Sequence, residues 1–214
     1  MRHPDRRRGR ADRRAGGHGP RPLRRTGRRL SSRVLAGTAP RGAGADDQRL
    51  AAGLLASAKD RAEHALAVDS LVRALEPYCT TLTAPEEPEL LTLANVRHLA
   101  TDVTGVQHRG RAGLLELVGA VHPTAAVCGT PTDDAAALIG ELEGMDRGRY
   151  AGPVGWVDAR GDGEFGLALR CAELVGDDSA RLFAGCGIVA GSDPAAELAE
   201  TQSKFAAFQA ALEG

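Results

Sequence analysis

The stretch VGWVDARGDGEFGLALRCAELVGDDSARLFAGCGIV, Val154 to Val189, decides the fold class. Three strand-like apolar segments, Val154–Asp158, Glu164–Leu174 and Ala180–Val189, alternate with turns rich in Gly and Asp. Gly and Asp supply the backbone geometries that reverse a chain tightly. The pattern therefore predicts an antiparallel meander. Directly after it, Asp193 and Pro194 read as the cap and first turn of a helix. That helix is expected to run to Gly214 with Leu198, Phe205, Phe208 and Leu212 turned inward.

Upstream of the meander the periods alternate. SSRVLAGTAPRG, from Ser32, predicts a strand closed by Gly37, Pro40 and Gly42. Residues 46–76 place Leu50, Leu54, Ala58, Ala62, Ala65, Val68, Val72 and Leu75 at helical spacing. Thr80–Thr83 and Glu89–Val103 read as strands interrupted by Pro85 and Pro88, and Leu114–Val121 and Asp133–Leu142 as helices. The class is α+β, with no internal repeat.

With 214 residues, 43% of them hydrophobic and 26% charged, the chain is long enough for one ordinary core. Aromatics make up 3%, so that core is expected to consist of Leu, Val and Ala. The net charge of −1 conceals an asymmetry: residues 1–33 hold thirteen Arg against two Asp, which leaves the remainder strongly acidic. Residues 1–31 contain no Lys, Ile or Val and show no apolar period. A disordered Arg-rich segment is expected there. Its Arg, Gly, Pro and Ala are also what GC-rich DNA gives when translated out of frame. Without aromatics to stack on bases, nucleic acid is not expected as a partner. The division is thus 1–31 against a folded region 32–214. Cys79, Cys128, Cys171 and Cys186 lie in no metal-binding spacing and are expected as reduced thiols in the cytoplasm. No apolar run is long enough for a membrane span.

Two pairs of acids bear on chemistry. In AKDRAEHALAVD, Asp60 and Glu63 stand three apart, and in ELAETQSK so do Glu197 and Glu200. Residues three apart share a helix face. Lys59 and Arg61 flank the first pair, and a charged stripe is ordinarily a solvated face. Two helices each presenting two carboxylates are nonetheless able to close around one cation. Oxygen-only ligation favours Mg²⁺ over zinc or copper. A di-iron bundle requires Glu-x-x-His pairs, and His64, next to Glu63, points elsewhere.

Seven ordered blocks carry a resemblance: LAGTAPRG, LLASAKDRAEH, HLATDVTG, LLELVGAVHPTAAVCGTP, ELEGMDRGRYAGPVGWVD, GEFGLALRCAEL and LFAGCGIVAGSDPAAELAETQSK. From about Val34 to Gly214 the chain resembles the C-terminal part of the chorismate-binding enzymes, and among them the isochorismate synthases. The resemblance implies antiparallel sheets packed face to face with helices outside. It implies Glu63 and Glu200 as Mg²⁺ ligands supported by Asp60 and Glu197, with chorismate as substrate. Arg170 in a strand, and the backbone around Gly185, Cys186 and Gly187, would hold the substrate's anionic end, and His98 would lie beside its ring. Cys186 departs from the family's usual Ala. The aminating relatives carry Lys after the Pro of GTP; here Thr132 follows Pro131, as in the water-using branch. Salicylate and anthranilate synthase types are the alternatives within the family.

Isochorismate formation needs a base for water and an acid for the departing hydroxyl. The resemblance implies a Lys and a Glu for these roles, both before LAGT. The only lysines are Lys59 and Lys204, and no Glu precedes Val34. The expectation is an enzyme by family whose proton-transfer half is missing from this chain. The alternative is a non-catalytic chorismate- and Mg²⁺-binding fragment that another polypeptide completes. Isochorismate feeds both menaquinone and catecholate siderophores, and the sequence does not choose between them.

Overall fold

The structure, a computed structural model, describes residues 23–93, 96–110, 112–176 and 178–213. Its centre is the pairing of two twelve-residue strands, β2 (Arg29–Pro40) and β5 (Val96–Gln107), which run antiparallel from Arg29↔Val106 to Pro40↔Val96. β1 (Leu23–Thr26) precedes β2 in a hairpin around Gly27, whose φ of 60° suits a residue without Cβ. β3 (Cys79–Thr83) and β4 (Glu89–Thr92) pair with opposite halves of β5. β6 (Pro153–Val157) and β7 (Gly163–Leu167) complete a seven-stranded sheet ordered β3-β5-β2-β1-β7-β6.

The boundary expected at residue 31 therefore falls inside β2. Residues 23–31 are hairpin, held by β5 on one side and β7 on the other. Leu23 and Leu30 are buried in the core despite their Arg neighbours. Alternation is what counts: two apolar residues suffice to seat one face of a short hairpin while the Arg side chains remain outside. The remainder of the expected arm, residues 1–22, lies outside the described residues.

The apolar stretch 46–76 is two helices, α1 (Gly44–Ala56) and α2 (Ala58–Leu75), rather than one. Ser57 between them is extended, and its hydroxyl accepts from the Asp60 amide at 3.2 Å. The apolar period runs across this junction, so the cap alone marks the break. A short 3-10 turn, Glu76–Tyr78, leads into β3. α3 (Leu114–Val121) and α4 (Thr132–Leu142) follow β5.

The meander is also divided. The segment Glu164–Leu174 is β7 and then β8 (Cys171–Val175), interrupted at Ala168–Arg170, where Arg170 has a φ of 47°. Among the described residues β8 pairs only with β9 (Ser179–Phe183), in a separate two-stranded sheet. In α5 (Pro194–Glu213), Asp193 caps as expected, its carboxylate accepting from the Ala196 amide at 2.9 Å. Leu198 and Leu212 are exposed, however, while Glu197 is buried. The helix turns its acidic face inward because cations wait there.

The core lies between one face of the sheet and α2 with α3. Leu30, Val34 and Ala36 of β2 and Val103 of β5 pack on Ala67, Leu71 and Leu75 of α2 and on Leu114, Leu117 and Val118 of α3. On the opposite face Arg33 makes a two-pronged ion pair with Asp102, at 2.6 and 2.5 Å. Leu117 is fully buried. Its replacement by Ala is expected to cost about 2–5 kcal/mol through lost burial and the cavity left behind. Urea unfolding of the two proteins checks this.

Candidate active site

A cavity of about 430 Å³ is lined by residues from several elements, among them Ala36–Thr38 of β2, α2, the loop after β9, and α5. The volume suits a small-molecule ligand. α2 presents Glu63 to the cavity, with Lys59 and Asp60 beside it at the capped N-terminus, and α5 presents Glu200 and Lys204, with Glu197 one turn before Glu200. The structure thus brings the two acidic pairs together.

Their partners differ. Glu197 takes an ion pair from Lys59 of α2 and is further held by the Ser192 hydroxyl and the Cys186 thiol. Lys204 bonds Glu200 and the Gly185 carbonyl, both at 2.7 Å. Asp60 packs on the β2 bulge, its Cβ 3.0 Å from where a Cβ on Gly37 would lie. Glu63 receives no hydrogen bond among the described residues. Burial, followed by the charges of Glu200 and Asp60, pushes its carboxyl up to about 7.

Glu63 also lies against the loop. A Cβ on Gly187 would stand 2.4 Å from its Oε1, so any side chain there would push the Glu63 carboxylate aside. Gly185, Cys186 and Gly187 line the cavity, and their amides donate to no protein acceptor among the described residues. Successive free amides in a loop are groups that receive anionic oxygens. Burial raises the Cys186 thiol above its ordinary value.

Arg170 lies in the break between β7 and β8, not in a strand as expected, and its positive φ aims it across the cavity at His98. His98 sits on β5, 5% exposed, and burial together with the Arg170 charge lowers it to about 4. It is a neutral imidazole at neutral pH. His64 points away from the acids: Nδ1 is 3.2 Å from the Ala36 carbonyl and Nε2 is 2.7 Å from the Thr101 hydroxyl. It pins α2 to the sheet.

Three site residues had no assigned role in the sequence reading. Lys204 follows Glu200 by four, a helical spacing that carried the signal. Lys59 was read only as a flanking charge. Tyr150 carried none: it reaches the cavity by stacking on Phe183, at 5.4 Å between ring centroids, beneath the Arg147 guanidinium. Its hydroxyl is 3.0 Å from where a Cβ on Gly185 would stand.

The cavity is lined by two helix-borne carboxylates and by Arg170, Lys204 and the residues Gly185–Gly187, a set that combines acids with donors to an anion. Residues 20–213 match the family model described as "Chorismate binding enzyme". The chain belongs to the chorismate-binding enzyme family. It is 48% identical over 182 residues to the isochorismate synthase DhbC of Bacillus subtilis (strain 168), covering 85% of this chain and 46% of that protein. It is 50% identical over 190 residues to the putative isochorismate synthase MenF of Mycobacterium tuberculosis (strain ATCC 25618 / H37Rv), covering 88% and 51%. Among solved structures it is similar to the putative 2,3-dihydroxybenzoate-specific isochorismate synthase DhbC from Bacillus anthracis. There the TM-score is 0.81 at 44% identity, over 86% of this chain and 49% of that one. The chain spans about half the length of these relatives. No described helix is long and apolar enough to cross a membrane.

Among the described residues no three His, Cys, Asp or Glu side chains form a self-sufficient metal cage. Mg²⁺ does not require one, since it is ordinarily held by one or two carboxylates with waters and substrate oxygens. Glu63 and Glu200 fit that role, because Glu63 carries the charge conflict a cation relieves. Glu197, engaged by Lys59, and Asp60, seated on the bulge, stand behind them.

The raised Glu63 carboxyl gives a pH signature. Between pH 4.5 and about 7 the unfolded chain gives up this proton first, so stability falls as pH rises through that window. Glu63→Gln removes the charge conflict. Its melting temperature should exceed that of the original chain at pH 8 by about 2–4 °C, and should lose its advantage at pH 4.5. Thermal denaturation at the two pH values without added metal measures it.

Proposed function

We propose that this chain binds chorismate with Mg²⁺ and carries the metal- and carboxylate-binding half of an isochorismate synthase site. The observation that supports it is that Glu63 lies close enough to Glu200 to feel its charge, in a cavity lined also by Arg170, Lys204 and Gly185–Gly187. Bound Mg²⁺ would supply an electrophilic anchor for a substrate carboxylate. Glu63 and Glu200 would hold it. Arg170, with Lys204 and the loop amides, would take the second carboxylate through charge-assisted hydrogen bonds. Neutral His98 would lie against the ring, and the Tyr150 hydroxyl would add a donor at the loop side.

Exchange of the ring hydroxyl for water needs a base and an acid. In this chain Lys59 is occupied by Glu197, Lys204 by Glu200 and the Gly185 carbonyl, and the Glu63 carboxyl belongs to the metal face. We therefore infer binding without efficient turnover by these 214 residues. A salicylate- or anthranilate-type outcome is the alternative within the family.

A second reading is supported by β6, the outer strand of the sheet, which is exposed along its whole length. Val154 is 62% and Trp156 57% exposed, and the edge has no partner strand among the described residues. An open apolar edge is a template for another strand. In this reading a second polypeptide completes the sheet and supplies the proton-transfer groups.

Calorimetry with chorismate, with and without Mg²⁺, tests the first reading, and chromatography of the incubated mixture tests turnover. The expected result is Mg²⁺-dependent binding, reduced at least tenfold by Glu63→Gln, with no isochorismate formed. Isochorismate from the chain alone would overturn the inference about proton transfer. Isochorismate only on coexpression with the other half of a relative would establish the second reading.

A further inference from the structure

Where β2 leaves register with β5, two polar side chains are brought face to face. The ladder pairs Ala36 with Leu99 and Thr38 with His98, so Gly37 is the extra residue of a bulge. Gly37 adopts a φ of 77°, and the bulge is where α2 meets the sheet, against Asp60. Thr38 Oγ1 consequently lies 3.0 Å from His98 Nδ1. On the other side of the ring, Nε2 lies 3.4 Å from Nη2 of Arg170.

These two contacts determine the ring's proton. A guanidinium offers donors only, so the nitrogen facing it must accept. In a neutral imidazole one nitrogen accepts and the other carries the hydrogen. Nε2 is thus the lone pair and Nδ1 the N–H, which donates to the Thr38 hydroxyl oxygen. The Gly37 carbonyl adds a backbone acceptor for the ring. The burial of His98 and the nearby Arg170 charge keep it neutral, as the assignment requires.

We propose that Thr38 is a positioning residue that, with the Gly37 bulge, holds His98 as the Nδ1–H tautomer and keeps its Nε2 lone pair facing the cavity. Arg170 covers that lone pair at a long 3.4 Å. A ligand carboxylate attracts the guanidinium far more strongly than a neutral imidazole does. Arg170 therefore transfers to the carboxylate, and Nε2 becomes an acceptor for a hydroxyl on the same ligand. The pair selects a ligand that carries both groups, a hydroxylated carboxylic acid, and it disfavours one with a carboxylate alone. This selection deepens the chorismate reading and rests on it; the tautomer itself does not.

The test is ¹⁵N–¹H spectroscopy of the imidazoles in the full chain at pH 7, with His98→Gln to assign the signal. In the original protein His98 should show a protonated Nδ1 and an unprotonated Nε2. Thr38→Ser should preserve this state. Thr38→Val and Thr38→Ala, which remove the hydroxyl, should move a substantial population to the Nε2–H tautomer with the amide spectrum otherwise conserved. Chorismate with Mg²⁺ should shift Nε2 in the original protein and in Thr38→Ser, and should bind Thr38→Val about tenfold more weakly. An Nε2 that carries the proton in the original protein, or a tautomer unchanged in both Thr38→Val and Thr38→Ala, overturns the proposal whether or not chorismate binds. The expected tautomers with no response to chorismate would support the positioning role and overturn the chorismate reading.

Discussion

The pairing of β2 with β5, and the single residue by which it slips at Gly37, is the constraint on which the site depends. Two twelve-residue strands make a rigid axis, and a rigid axis cannot curve around a ligand without a defect. The defect at Gly37 provides three placements at once. It lets Asp60 approach the sheet, so the start of α2 sits low over the strands. It leaves the Ala36 carbonyl facing the His64 ring, which secures the next turn of α2. It puts Thr38 beside His98, and His98 opposite Arg170. A side chain at residue 37 would face both an unfavourable positive φ and the Asp60 Cβ at 3.0 Å.

The second organising element is the α2–α5 contact, which is ionic where the core contact is apolar. Lys59 reaches across to the buried Glu197, while Lys204 stays on α5 and neutralises Glu200. Burying Glu197 without Lys59 would leave a lone carboxylate away from water, which costs several kcal/mol. This explains why α5 turns Glu197 inward and leaves Leu198 exposed. Apolar spacing predicted the opposite orientation. A helix held by an ion pair at its first turns is oriented by that pair, and its few apolar residues follow.

The boundary between what was legible and what was not runs along the same line. The α+β class, the strand at Thr80–Thr83, the helices Leu114–Val121 and Asp133–Leu142, and the Asp193 cap were readable because each depends on local period or capping; Glu89–Val103 was readable as β-structure but is two strands, β4 and β5, rather than one. The two acidic pairs were readable from i,i+3 spacing, and their convergence from the family resemblance. The split at Ser57 was hidden because one cap residue interrupts an apolar period that continues on both sides. The division at Ala168–Arg170 was hidden because strand composition runs through it, and only the positive φ of Arg170 ends the strand. Tyr150 was hidden for another reason. Its place in the cavity comes from stacking on Phe183, thirty-three positions away, and no local pattern encodes that contact.

The charges explain why the site is poised rather than settled. Two lysines and four carboxylates face one another, and each lysine is committed to one acid. The conflict falls on Glu63, which is half-buried beside both Asp60 and Glu200. A proton resolves that conflict below about pH 7. Above it the carboxylate is left ionised beside two other acids. On the proposed reading, in which a divalent ion is held between Glu63 and Glu200, proton and metal would compete for the same oxygen and metal affinity would rise with pH across that range. A solvated acidic face would show no such dependence, because its carboxylates would already be ionised at pH 5.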